Sequence, residues 1–597
     1  MELKNKQYRL IDFLKISLSI APISAGLRVL DKVVFALAPS LQILATARFV
    51  DTVILIWHGE AARSQVILPL VWVTLLAGYL FTSQVLFGFA KSMMGIGLNK
   101  TFRPAVVKKR AALAYQHIEN NETWDLISRV GEDPGAQVEE GFENILSFCG
   151  AVLNIGSVLL VIATQVWWAA LVIMVISVPL FFVSIKSGKQ TYNAFVDAQK
   201  HQRRATYLQG VLTNRDSVEE RSFFKYSHKV NHHWHERFMA SFQINMKVQK
   251  HAQIKQKIGS VFLVLTSLFI AGVLVVPLNA GAITIGIFIG MVNAVFLLVR
   301  TTGQEIPWIA TGLAYSHKYM ADLTTFSHFS ETEGALDAPA AHMPAPDCIQ
   351  FVNVSFAYPG TTTQILDNLN LTLRGGMHYA FVGANGAGKT TITKLLTGLY
   401  DNYTGDILID GKNLRQFTQA QLKATFSVVY QDFARYQIPF KDSVGVSNTG
   451  ATEADIRQAV DLVDLGGLAD TLPQGMDTPL GKIRAGGADL SGGQWQRVAI
   501  ARSVVSAAPF RILDEPTAAL DPNAESAVYK MFGEISHGKS TVFITHRLGA
   551  AKLADEIFVI ANGQVTEKGS HDALMEENGL YAEMFESQRG WYVDEAE

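Results

Sequence analysis

The chain of 597 residues is too long for one compact core, since a domain takes about 100–200 residues. It is 49% hydrophobic and only 17% charged, whereas soluble proteins carry about 25% charged residues, so the composition points to a membrane. The formal net charge of −2 lacks the basic surplus of a nucleic-acid binder. The two cysteines, Cys149 and Cys348, fit neither a disulfide framework nor a metal cluster and read as packing residues.

The opening stretch MELKNKQYRLIDF is too polar for a secretory signal peptide, so internal spans are expected to direct insertion. Apolar stretches long enough to cross ~30 Å of hydrocarbon fall at about 18–56, 65–90, 142–165, 166–186, 257–278 and 283–303. This predicts an all-α, six-helix transmembrane domain over residues 1–330. Lys4, Lys6, Arg9 and Lys15 precede the first span. Lys100, Arg103, Lys108, Lys109 and Arg110 follow the second, and Lys186, Lys189, Lys200, Arg203 and Arg204 follow the fourth. The turns near Gln165 and Asn279 carry no charge. The positive-inside rule then puts both termini and the connectors 91–141 and 187–256 in the cytoplasm. These connectors are polar, rich in helix formers and read as helices that continue beyond the bilayer.

Within the first span, Arg28, Asp31 and Lys32 share one helical face. Either the span begins near Val33 and leaves them at the headgroups, or they line a cavity that meets polar parts of a cargo. His228, His232 and His235 also share a face, which suits zinc but equally a solvated helix. Trp167 and Trp168 suit an interfacial belt more than a pathway lining. Gly303 and Pro307 interrupt the last span as a hinge or a tolerated kink.

Residues 331–347, ETEGALDAPAAHMPAPD, form a Pro/Ala-rich linker with nothing to pack. From 348 to 597, short β-branched runs alternate with amphipathic helices and glycine turns, the pattern of an α/β domain with a largely parallel sheet. Within it, Gly383-Ala384-Asn385-Gly386-Ala387-Gly388-Lys389-Thr390 matches the P-loop pattern. It follows the apolar run Tyr379–Val382 and opens a helix, so backbone N–H groups and the helix N-terminus can meet phosphates. Lys389 adds a cation at the β- and γ-phosphates, and Thr390 offers a hydroxyl to Mg2+. The run Phe510-Arg511-Ile512-Leu513-Asp514-Glu515 is a strand ending in two carboxylates, which suits Asp514 to a magnesium shell and Glu515 to polarising an attacking water. Arg511 has no evident role in so apolar a strand.

Between these two elements, Leu490-Ser491-Gly492-Gly493-Gln494 resembles the signature motif of ABC transporters. Other parts of that family's cassette stand around it in order. Tyr358 lies in FAYPG, where the family stacks an aromatic on adenine. Gln431 lies in VVYQDF, matching the Q-loop. Ala518-Ala519-Leu520-Asp521 resembles the D-loop, and His546 in FITHRL matches the switch histidine. The resemblance implies a nucleotide-binding set of Tyr358, Gly383, Asn385, Gly386, Gly388, Lys389, Thr390, Thr391, Ser491, Gly492, Gly493, Gln494 and Asp521. It implies Thr390, Gln431 and Asp514 as ligands of Mg2+ with ATP, and Glu515, His546 and Gln431 as the catalytic set. In this family the signature of one subunit caps the ATP held by the other, so ATP joins the cassettes and hydrolysis releases them.

Two departures stand out. The family's exporters carry an acidic residue shortly before the signature, where this chain has Arg484-Ala485-Gly486-Gly487, and the D-loop begins with Ala518 in place of serine. The six spans with a fused cassette resemble a type IV exporter, with Tyr115–Arg129 and Thr213–Phe224 at the places of its two coupling regions. The resemblance implies a half-transporter in a bacterial inner membrane, with its cassette in the cytoplasm and membrane lipid around its spans. It would pair with a second half-transporter, a homodimer being favoured over a heterodimer. It would use ATP and Mg2+ to export a hydrophobic or amphipathic peptide, natural product, lipid or drug-like molecule. The alternative is an importer on the same fold, as in siderophore uptake. Six spans argue against a soluble cassette protein, and no Cys/His protease domain precedes them.

Overall fold

The computed structural model describes residues 2–482, 486–516, 533 and 538–593. They pack as two units: Met1–Arg110 with Asp125–Phe329, and Ala111–Trp124 with Ser330–Glu597. Residues 111–124 therefore group with the second unit, not with the helices that flank them in the chain.

The first unit is helical. The expected span at 18–56 is divided between α1 (Ile11–Ile20) and α2 (Pro22–Trp57). The division falls where Pro22 has no N–H to continue the ladder and takes the first position of a new helix instead. Helix α3 covers Ile67–Ala112 and α6 covers Pro134–Gln165. The Asp133 side chain caps α6 by accepting from Ala136 N at 3.3 Å, with Pro134 next in line. Helices α7 (Trp167–Thr213) and α9 (Ser227–Asn279) run 47 and 53 residues. At 1.5 Å per residue that is about 70–80 Å, well beyond a bilayer core. The connector between them holds a short helix, α8 (Val218–Phe223). The last stretch is α10 (Ile285–Arg300), a π-helical turn at Thr301–Glu305, and α11 (Ile306–His328). The interruption expected at Gly303 and Pro307 is thus a π turn followed by a proline in a first helical turn, where its missing N–H is tolerated.

Among the described residues, Pro22–Trp57, Arg63–Ala112 and Pro134–Gln165 are long and apolar enough to cross a membrane, and Ile285–Leu298 is a shorter apolar helix. Helices α2 and α10 meet closely. A Cβ on Gly286 would stand 2.1 Å from Ala47 O, so only glycine permits the approach. Asp51 fastens the start of α10, accepting from Thr284 Oγ1 at 2.6 Å and Gly286 N at 2.8 Å. Trp167 is exposed, while Trp168 is partly buried against the apolar cluster that includes Val158 and Ile162. Cys149 is exposed, against its reading as a packing residue. An all-round apolar helix does not reveal from sequence which side is buried. His232 and His233 both face Glu236, at 3.3 and 3.2 Å, and no cluster among the described residues is arranged to hold a metal ion.

The charges on α2 part company. Arg28 donates through Nε and Nη2 to the two carboxylate oxygens of Glu143, both at 2.8 Å, and through Nη1 to Asp31 at 2.9 Å. Asp31 also accepts from the Tyr79 hydroxyl at 3.0 Å. Arg28 and Asp31 are largely shielded from solvent in this network, and the helix is continuous through them.

In the second unit, a four-stranded antiparallel sheet runs in the order β2 (Gln364–Arg374), β1 (Cys348–Ala357), β4 (Thr404–Ile409), β5 (Lys412–Asn413). A six-stranded sheet runs β10 (Gln564–Gly569), β9 (Glu556–Ala561), β3 (His378–Val382), β8 (Ser540–Ile544), β7 (Phe510–Asp514), β6 (Phe426–Val429). All of its pairings are parallel except β10 with β9. The pattern of the sequence predicted one largely parallel sheet, and the antiparallel one stands beside it. Its strands alternate buried and exposed residues, as a one-sided sheet requires, while β3, β7 and β8 are almost wholly buried.

The linker is not idle. Lys423 Nζ donates to Ala335 O at 2.6 Å and Asp337 O at 2.8 Å, and Ala340 N donates to Ala420 O at 2.9 Å. Residues 111–124 hold to the same unit. Leu113 bridges Glu331, Thr332 N donates to Ala112 O at 2.8 Å, and the Tyr115 ring stands edge-on to Tyr400 at 5.5 Å. Helix α4 (Tyr115–Glu119) ends at Asn120, whose side chain accepts from Glu122 N and Thr123 N and so starts α5 (Asn121–Gly131).

Candidate functional site

Ligands of open parallel sheets bind beyond the carboxyl ends of the strands. The neighbours β3, β8, β7 and β6 each release a predicted residue at that end: the P-loop after Val382, His546 after Ile544, Asp514 and Glu515 at the end of β7, and Gln431 after Val429.

The P-loop turns on glycines with positive φ. Gly383 has φ 147°, and a Cβ there would meet Ile560 O at 2.1 Å; Gly388 has φ 105°. The helix Lys389–Leu396 follows at once. Lys389 Nζ is buried and donates to Gly383 O at 2.7 Å and Ala384 O at 2.9 Å. Burial lowers its pKa, opposed by Glu515 and Asp514. Thr391 shares a 3.0 Å hydrogen bond with the Tyr358 hydroxyl. Tyr358 packs edge-on against Phe356 and Tyr400, with Lys394 Nζ 5.2 Å from its ring centre. Lys394 also pairs with Glu119 at 3.0 Å.

Glu515 sits at φ 50°, a strained position for a residue with a side chain. Its carboxylate lies between two partners: Gln431 Nε2 donates to Oε2 at 3.0 Å, and His546 Nε2 lies 2.6 Å from Oε1. Burial lowers the His546 pKa, the charge of Lys389 adds to this, and Glu515 opposes it. A carboxylate can only accept, so the ring's Nε2 is the donor to it. Asp514, one residue earlier, is 1% exposed, and neither of its oxygens has a hydrogen-bond partner among the described residues. Burial pushes its carboxyl up to about 6. Thr390 lies near enough to favour the charged form without reaching hydrogen-bond geometry; Glu515 works against that form and Lys389 for it. A buried, unpartnered carboxylate beside a threonine hydroxyl is a fit for a divalent cation with oxygen ligands.

The signature segment is a capping box. Ser491 Oγ accepts from Gln494 N at 3.3 Å, and Gln494 Oε1 accepts from Ser491 N at 2.8 Å, at the start of the helix Gly492–Val505. Gly492 and Gly493 form the first turn. Asn385 and Gly386 lie in the P-loop as expected. Asp521, with Ala518, Ala519 and Leu520, lies outside the described residues, as do Arg484 and Ala485.

Three supporting residues escaped the sequence reading. Gln496 Nε2 donates to Glu515 O at 3.1 Å. On the C-terminal helix Leu580–Val593, Gln588 binds the backbone around His546. Arg511 also gains a role. It is 3% exposed and donates to Ser503 O at 3.1 Å and Val504 O at 3.2 Å, satisfying the last carbonyls of the signature helix. Gln496 and Gln588 lie outside the elements read from the sequence; Arg511 lies within the strand that carries Asp514, and its misplaced charge was the one signal.

Two family models match the chain: the ABC transporter transmembrane region over residues 31–301 and the ABC transporter over residues 366–518. The subtilin transport ATP-binding protein SpaT of Bacillus subtilis is 30% identical over 83% of this chain and 81% of its own length. An ATP-dependent lipid A-core flippase of Desulfotalea psychrophila is 29% identical over 87% of this chain and 90% of its own. A solved bacterial Atm1-family ABC exporter with ATP bound aligns with a TM-score of 0.73 at 22% identity, covering 94% of this chain and 98% of that one, a likeness of fold.

Proposed function

Because the chain belongs to the ABC transporter family, we propose that two copies of it form one transporter with two ATP sites. The chain is an ATP-binding, multi-pass protein of the inner membrane, an ATPase that drives export. The homodimer is supported by one observation above the others: the Gln431–Glu515–His546 triangle and the Ser491 capping box are intact in one chain. Two identical chains would then supply both faces of both sites.

In each site Lys389 would exchange its two loop carbonyls for phosphate oxygens of ATP, and Tyr358 would meet the adenine. Thr390, Asp514 and Gln431 would hold Mg2+, which when bound neutralises phosphate charge. Glu515, held from both sides, orients the attacking water and draws on its proton. His546 keeps a donor at this carboxylate, and Ser491 of the second copy closes the site. The relatives are named for subtilin transport and for lipid A-core flipping, which supports an amphipathic peptide or lipid as the cargo.

The test is ATP-dependent accumulation of labelled amphiphiles in vesicles, inverted and right-side-out, beside a mass measurement of the purified chain. Accumulation in inverted vesicles by a dimer of one chain is expected. An inactive monomer would overturn the homodimer, and uptake confined to the right-side-out orientation would favour the importer.

A further inference from the structure

Of the three neighbouring charges Arg28, Asp31 and Lys32 on α2, Lys32 is the one without a hydrogen-bond or ion-pair partner among the described residues. Its stem lies over Gly150, where a Cβ would come within 3.3 Å of it, and its head lines a cavity of about 820 Å3 within the helical unit. Among the described residues it makes no hydrogen bond or ion pair. A lone ammonium in a spanning helix is costly, and such residues mark pathways for substrates or ions.

Two further charges line the cavity, Arg300 and Glu305, 3.7 Å apart. Lys32 and Arg300 against Glu305 leave the wall one positive charge in excess. Asp31 and Glu143 do not line it, being held by Arg28. Asn154, 9% exposed, also lines the cavity. Its Nδ2 donates to Ala36 O at 2.9 Å while its Oδ1 is buried without a partner. Phe35 and Trp308 offer apolar surface. A purely hydrophobic cargo would leave both the ammonium and the amide oxygen unpaired, and a cationic one would have to displace Arg300 from Glu305.

We infer that this cavity takes an amphipathic anion. A phosphate or carboxylate head meets Lys32, with Arg300 able to turn from Glu305 toward it. A hydroxyl or amide donor of the same head meets Asn154 Oδ1, and the apolar tail lies against Phe35 and Trp308. The inference rests on the export reading and names the chemistry of its cargo.

The test uses the full-length protein in phosphatidylcholine nanodiscs and probes with the same twelve-carbon tail: dodecyl phosphate, lauroylglycine, dodecyl maltoside and dodecyltrimethylammonium. The half-stimulating concentration for ATPase activity is read for each. Lys32→Gln should raise it about tenfold or more for the two anions, the loss of one charge-assisted contact, and by less than twofold for the maltoside. Lys32→Arg should restore the anions. Arg300→Gln, on another helix, should shift the anions in the same direction and serves if Lys32→Gln does not fold. A difference between the phosphate and the carboxylate would tell which head is preferred. Equal shifts for all probes, stimulation by the cation alone, or none by either anion would overturn the inference. A protein that accumulates amphiphiles in inverted vesicles but ignores their charge would lose this inference alone. One without ATP-dependent accumulation would lose the export reading.

Discussion

Gln588 holds the backbone that leaves His546: its Nε2 donates to His546 O, and its Oε1 accepts from Leu548 N at 3.0 Å. The C-terminal helix therefore sets where the imidazole stands relative to Glu515. Gln588→Ala should lower ATP turnover about tenfold through loss of positioning, with KM for ATP within twofold. Steady-state kinetics on protein that retains its thermal midpoint decides this, and an unchanged turnover number would deny Gln588 the role.

Glu515→Gln should bind ATP with near-native affinity and hydrolyse it at least about a hundredfold more slowly, the scale of a lost general base. Lys389→Ala should instead weaken nucleotide binding, because the buried ammonium at the phosphates is gone. Equilibrium binding and single-turnover hydrolysis separate the two, and near-native turnover in Glu515→Gln would place the base elsewhere.

Asp514 carries a stability cost that pH exposes. Its folded value of about 6 exceeds the ordinary 3.8, so between these values the folded, nucleotide-free protein binds more protons than the unfolded chain. Stability therefore falls as pH rises through this window, and the loss is complete above about pH 6. Asp514→Asn should raise the stability of the nucleotide-free protein at pH 8 by on the order of 1–3 kcal/mol, give no gain near pH 4, and abolish Mg2+-dependent hydrolysis. Thermal midpoints at the two pH values check the sign; equal gains at both would refute the burial of a titrating group.

Arg511→Ala should destabilise the ATPase unit by roughly 3 kcal/mol, from unpaired helix-end carbonyls and the space left by a buried side chain. Calorimetry should show the unfolding transition of that unit moving down while that of the helical unit stays. A midpoint shift of less than about two degrees would show that the carbonyls of Ser503 and Val504 find other partners.

How far the sequence could be read depended on whether a contact leaves a local pattern. The P-loop, the paired carboxylates and the signature obey fixed spacings because phosphate chemistry dictates them, so Lys389, Asp514 and Ser491 were legible. Gln431, Glu515 and His546 were identified separately, and their meeting came only with the adjacency of β6, β7 and β8. Gln588 and Arg511 act on main-chain atoms of other elements, where any residue offers the same carbonyl, so no pattern marks the partner. On α2 the three charges were visible, but the pairing of Arg28 with Glu143, 115 residues away, was not. Residues 111–124 were read as part of a helical connector in which Tyr115–Arg129 resembles a coupling region, and the contacts they make were not visible. They group with the ATPase unit because Tyr115 and Glu119 meet Tyr400 and Lys394, which have no signature near Tyr115 in the chain.

That grouping has a practical outcome. The chain passes between the two units three times, at Arg110–Ala111, Trp124–Asp125 and Phe329–Ser330, and residues 331–347 lie inside the second unit. A protease nick near Pro344 should leave two fragments that co-purify, since the amino-terminal fragment still carries Tyr115 and Glu119 into the body formed by the other. A recombinant ATPase begun at residue 348 would lack this inserted piece and present Tyr400 and Lys394 bare, so it should be prone to aggregate. Supplying residues 111–124 as a free peptide should improve its solubility.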